Sequence, residues 1–234
     1  MTGFNRVLAL CVICFVAKLS VSTVSQKKVS FKGARIITIT YLLDGNEFKY
    51  VTASEISTVK TWLEEVQYQA ELMLKDELSV TVEFQITNIN LTDQKLSRKL
   101  HSATSIGSCG SGPLMHAGTV LEEIKEESGN WPFKPNIICV LTKVKLFQGD
   151  FTDLLGYTMN KTLCYRPVPM LLTYDRSKGR IIETGKLLFE LVVNSTNYDG
   201  SVLWKQYFNV CHKKNKLQDM KKSQITSPSR PLRF

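Results

Sequence analysis

RIITITYLL (residues 35–43), closed by Asp44-Gly45-Asn46, is the stretch from which the fold is read. Its β-branched residues favour extended backbone and the Asp-Gly-Asn signal ends the run, so a strand is predicted over Arg35–Leu43. Immediately downstream, Ser54 is placed to cap a helix over Ser57–Lys75, where Ile56, Val59, Leu63, Val66, Ala70 and Met73 recur at helical spacing. LSVTVEFQITNI (78–89) then alternates as a half-buried strand does.

Further out, Asn90–Pro113 reads as a loop carrying Gly107, Gly110 and Gly112, and His116–Glu127 as a helix. NIICVL (136–141) is an unbroken apolar run of the kind found in a buried strand. Leu155–Met159 and Val168–Thr173 are further strands, the second followed by a turn over residues 175–179, and Glu183–Ser195 is a third helix. The order β-α-β-α-β-β-β-α implies an α/β domain with helices packed on a mixed sheet. No internal repeat is visible.

The chain has 234 residues, 43% of them apolar, which suffices for one substantial core with or without a tail and excludes collagenous or wholly disordered chains. Residues 1–25 predict a secretory signal peptide: Arg6, the apolar run Val7–Ala17, then Ser20, Ser22 and Ser25, with cleavage after Ser22 or Ser25. The run is short of the roughly 20 residues that a spanning helix needs. Sequons at Asn90, Asn160 and Asn194 agree with export and mark candidate glycosylation sites. With Cys11 and Cys14 in the leader, Cys109, Cys139, Cys164 and Cys211 remain. An even number in an oxidising compartment predicts two disulfides, with three connectivities open.

The net charge is +9, and its location matters more than its size. From His212 to Phe234, Lys213, Lys214, Lys216, Lys221, Lys222, Arg230 and Arg233 face a single acid, Asp219. With Pro228 and Pro231 and little apolar periodicity, residues 212–234 read as a mobile basic tail, either purely solubilising or touching glycosaminoglycan or anionic lipid. Secretion and a near-neutral body speak against nucleic acid.

GKLLFELVVNSTNYDG (185–200) resembles the active-site helix and turn of metzincin zinc proteases of the reprolysin type, especially those of tick saliva, whose pattern is H-E-x-x-H-x-x-G-x-x-H-D. Leu155-Gly156-Tyr157 through Leu163-Cys164 resembles that family's edge strand ending in a cysteine, and Asn136–Thr142 its D-I-x-x-x-L-T strand. The resemblance spans roughly residues 33 to 200. It implies a mixed, twisted five-stranded sheet with three helices and a short C-terminal part, in a domain over residues 26–211. It also implies a Cys164–Cys211 disulfide, with Cys109 joined to Cys139.

Carried over position by position, the pattern loses its chemistry. Phe189 and Val193 stand where the first two zinc-binding histidines belong, and Thr196 replaces the glycine. Tyr198 replaces the third histidine once the Asp-Gly pair is aligned across a one-residue deletion. Glu190, at the general-base position, survives, with Lys186 one turn away to pair with it. On a helix, positions 189, 190 and 193 share one sector, which is how two imidazoles and a carboxylate can face one cleft. Phe and Val offer no lone pair, and hydrolysis of this type needs a metal with an open coordination position.

The resemblance therefore implies a secreted, non-catalytic relative without a cofactor, found in saliva or venom and binding an extracellular host component. Two rivals stand beside it. One is an active zinc endopeptidase whose ligands come from elsewhere, for example His101 and His116. The other is an unrelated secreted glycoprotein that binds anionic polysaccharide. His101, His116 and His212 contain no i, i+4 pair, and the family's Met-containing turn is not identifiable. Gly110-Ser111-Gly112-Pro113 and Ser57-Thr58-Val59-Lys60 fit serine-nucleophile patterns without companion motifs, and no Walker or dinucleotide fingerprint occurs.

Overall fold

The computed structural model describes residues 33–49, 51–107, 112–177 and 179–226, with side chains as far as Gln218. The expected leader, Cys109, Arg230 and Arg233 lie outside the described residues.

Alternation in β1 (Arg35–Leu43) sorts its side chains between two cores. Ile37, Ile39, Tyr41 and Leu43 are buried against α1 (Ala53–Leu78) with Val59, Leu63, Val66, Ala70 and Leu74. Leu42, on the opposite face, joins a second core with α3 (Ala117–Ser128). Thr52, rather than Ser54, caps α1: its hydroxyl accepts from Glu55 N at 3.2 Å.

β1 lies inside a five-stranded sheet with β2 (Val82–Leu91), β5 (Ile137–Thr142), β9 (Val168–Thr173) and β8 (Gly156–Thr158), in the order β2-β1-β5-β9-β8. All neighbours pair in parallel except β8, an antiparallel edge strand. Every residue of β5 and β9 is buried, because helices cover both faces there, and this is why their sequences are unbroken apolar runs. The mixed five-stranded sheet is the one expected.

Other expectations need correction. The segment expected as a loop holds α2 (Gln94–Ser102), capped by Asp93 accepting from Leu96 N at 2.7 Å, and β3 (Thr104–Ile106). β3 joins β4 (Pro113–His116), β6 (Lys145–Gln148) and β7 (Phe151–Leu154) in a second sheet, ordered β3-β4-β6-β7. With α4 (Arg180–Asn194) and α5 (Trp204–Thr226) there are five helices among the described residues instead of three. The change from domain to mobile tail expected at residue 212 falls inside α5. Asn215, beyond it, is buried and donates through Nδ2 to Ile36 O at 2.9 Å and Asn136 Oδ1 at 2.8 Å.

Cys164 and Cys211 are bonded, as the resemblance implied. Cys139 is a free thiol, which corrects the pairing expected with Cys109. It sits inside β5, between β1 and β9, packed in the α1-side core. Among the described residues no helix is long and apolar enough to cross a membrane.

Candidate functional site

α4 follows a turn in which Asp175 accepts from Ser177 N at 2.8 Å and Ser177 Oγ at 2.6 Å, bonds that hold its carboxyl below the usual range. Two glycines then set how closely the helix docks. A Cβ on Gly185 would lie 2.3 Å from Gln69 Cβ of α1, and one on Gly156 of β8 would lie 2.9 Å from Leu187 Cδ2. The helix is thereby pressed between α1 and the edge strand.

Side chains at the positions that the resemblance aligns with zinc ligands are committed to this packing. Phe189 is 8% exposed and belongs to the core. Val193 is half-buried and packs on the same core. Glu190 is exposed, with Lys186 Nζ 3.9 Å away. Phe189 therefore faces the interior while Glu190 faces water, and the three positions do not converge on one cleft as the sector argument expected. Thr196 Oγ1 donates to Val193 O at 2.8 Å, closing the helix end. Tyr198 donates its phenol proton to Val202 O at 2.6 Å and stacks on Trp204 with ring centroids 3.7 Å apart. Two hydrocarbon side chains and a phenol already engaged as a donor do not fit a zinc ion.

No histidine supplies a replacement set. His101 is exposed at the end of α2. His116 caps α3, its Nδ1 accepting from Thr119 N at 3.1 Å, and its ring packs edge-on against Phe147. His212 Nδ1 accepts from Ile36 N at 3.4 Å. Among the described residues no three His, Cys, Asp or Glu side chains are grouped to hold a metal.

Sequence reasoning missed an aromatic cluster beside the end of α4. Trp204 and Tyr207 touch one another and each touches both Tyr198 and Phe208, and Tyr165 touches Tyr207. Tyr207 donates to Leu163 O at 2.8 Å, and burial pushes its phenol pKa up. The spacing Trp204, Tyr207, Phe208, Cys211 is one helical face and was available as a signal.

Of the candidate anion-binding residues, Lys213 and Lys216 are exposed on α5, while Lys214 is half-buried and donates to Tyr165 O at 3.2 Å. Desolvation, then the charge of Lys134, lowers the Lys214 pKa. Lys221 and Lys222 lie on the last turns of α5, and their side chains are outside the described residues. Asn90 is exposed on β2, Asn194 is exposed at the end of α4, and Asn160 is half-buried with its Oδ1 unpartnered.

A second feature was not foreseen. Beside the β1–β2 face that α3 leaves bare there is a cavity of about 490 Å³. Its floor includes Thr38, Thr40, Thr87 and Asn88, and its rim includes Trp131, Phe133 and Gln218. A register shift opposite Ile39/Thr40 brings both Thr87 and Asn88 to it.

Among solved structures the chain is similar to an archaemetzincin from Methanopyrus kandleri, at 9% identity and a TM-score of 0.41, over 83% of this chain and 99% of that one. No protein-family profile matches the chain. No curated protein matches it either.

Proposed function

We propose that this chain is a secreted, metzincin-like protein of the reprolysin type, in saliva or venom, that has given up peptide hydrolysis and acts by binding an extracellular host component. The observation carrying this reading is the use made of the three ligand positions: Phe189 fills core, Val193 packs on it, and Tyr198 is spent on Trp204 and Val202 O. An exposed Glu190 without those nitrogens has no metal-bound water to activate. Supporting export are the leader at residues 1–25, the three sequons and the Cys164–Cys211 disulfide, a bond that persists in oxidising compartments.

The partner surface we assign to exposed Lys213 and Lys216, continued along α5 toward Lys221 and Lys222. A row of like charges on a rigid helix attracts a polyanion such as glycosaminoglycan and is screened by salt. Homogeneous protein secreted from cultured cells is expected to contain no stoichiometric zinc by elemental analysis and to leave casein intact with or without a chelator. Chelator-sensitive cleavage would refute the reading and promote the active-endopeptidase rival. Lys213→Glu with Lys216→Glu should lower the salt concentration that elutes the protein from heparin; unchanged elution would move the partner surface elsewhere.

A further inference from the structure

The cavity beside β1 and β2 has an unusual composition for a groove between helices and a sheet. Thr38, Thr40, Thr87 and Asn88 put hydroxyls and an amide on its floor beside Leu42, Leu91 and Leu96. Thr40 and Thr87 are linked Oγ to Oγ at 2.7 Å, and Thr87 donates to Ile39 O, so Thr40 keeps acceptor lone pairs. Trp131 Nε1 and the side-chain amides of Asn90 and Gln218 have no hydrogen-bond partner among the described residues.

The charged groups at the rim are already engaged. Asp93 caps α2, Glu127 pairs with Lys95 at 3.0 Å, and Lys134 donates to Gly129 O at 2.8 Å. What remains on offer beside the aliphatic lining is neutral: the Thr40 hydroxyl, the side-chain amides of Asn90 and Gln218, and the Trp131 ring. That combination suits a saccharide, whose ring presents an apolar C–H face to an aromatic side chain and hydroxyl or acetamido groups to amides.

One lining residue also fixes the source of the sugar. Asn90 stands in register with Leu42 of β1, at the cavity, and heads the sequon Asn90-Leu91-Thr92. A sugar joined to Asn90 Nδ2 starts at the cavity and is held there at high effective concentration by its own linkage. We propose that the cavity is the seat of the proximal N-acetylglucosamine residues of a glycan carried on Asn90, so that the glycan is a packed part of the fold. The linkage forms when Nδ2 bonds to the anomeric carbon of a lipid-diphosphate oligosaccharide. The bond from that carbon to the diphosphate breaks, the lipid diphosphate leaves, and the amide loses one proton.

This proposal rests on the export reading, and the experiment separates the two. Protein secreted from cultured eukaryotic cells is mapped by glycopeptide mass spectrometry at all three sequons. It is then treated, while folded, with an amidase that removes asparagine-linked glycans. Asn90 should be occupied, and its glycan removed about tenfold more slowly than one on exposed Asn194, a ratio equivalent to ~1.4 kcal/mol of seating. If Asn194 is unoccupied, the denatured protein supplies the reference rate. Gln218→Ala and Trp131→Ala should each erase the protection, and Gln218, half-exposed on α5, makes its variant the one that keeps the test open if the Trp131 variant does not fold. A bare Asn90 beside an occupied Asn160 or Asn194, or equal release rates in the folded protein, overturns the proposal while leaving export standing. Three bare sequons with an uncleaved leader overturn both.

Discussion

Single atoms decide how this molecule closes. With a Cβ, residue 185 would collide with Gln69 Cβ, an atom fixed to the α1 backbone rather than the free end of a side chain. Alanine is the better helix former by about 1 kcal/mol, but overpacking of this kind costs ~1–3 kcal/mol, so the clash decides the sign. Gly185→Ala is therefore expected to lower the urea midpoint, and a midpoint equal to or above wild type would show that α1 and α4 are free to separate. Cys139 makes the opposite case, a reactive group silenced by its surroundings. Burial pushes its thiol pKa far up, and no charge lowers it again. Iodoacetamide should leave Cys139 unmodified in folded protein and label it in denaturant without prior reduction. A non-reduced peptide joining Cys109 to Cys139 would contradict this.

At the level of elements, legibility followed length and periodicity. β1 and β9 span the residues expected because eight β-branched or apolar residues after Arg35 and before Asp-Gly, and six before a turn, leave little freedom. The second sheet was missed because strands of three or four residues are too short to show a period. α5 is absent from the sequence expectation, which ends the folded domain at Cys211, for a more instructive reason. Its buried stripe runs Tyr207, Phe208, Cys211, Asn215, and the fourth member is an asparagine, so apolar periodicity ends while burial does not. In the candidate site, that residues 189 and 193 carry no metal-binding atom is plain from residue type alone. The cavity is not, since its lining comes from segments far apart in sequence. Ending the chain at His212 removes the amide that bonds Ile36 O and Asn136 Oδ1, so we expect a loss of about 2–4 kcal/mol of unfolding free energy. Lys213→Ala and Lys216→Ala, which touch no buried group, should leave it unchanged. Equal stability of the shortened chain would return residues 213 onward to the status of a tail.

On the scale of the whole molecule, the C-terminal helix ties the first strand to the far edge of the sheet. Arg35 Nε donates to Asn209 Oδ1 at 2.9 Å, and Asn215 bonds Ile36 O, both on β1. In the connection between β8 and β9, Tyr207 bonds Leu163 O, Leu163 N donates to Ser195 O at 2.9 Å, and Cys211 is joined to Cys164. The same α5 therefore touches the start of the fold, the edge-strand connection and the end of α4. Bridging residues 47 apart limits the unfolded chain and contributes ~2–4 kcal/mol. Replacing both cysteines by alanine is expected to lower the thermal midpoint by roughly 5–15 °C. The dependence of unfolding free energy on urea should keep its slope, because Tyr207, Asn209 and Asn215 still hold α5 in place and the molecule still unfolds as a unit. A shallower slope would mean that the helix detaches before the sheet melts. In that case the disulfide, rather than the buried amides and the phenol, would be what makes α5 part of the folded core.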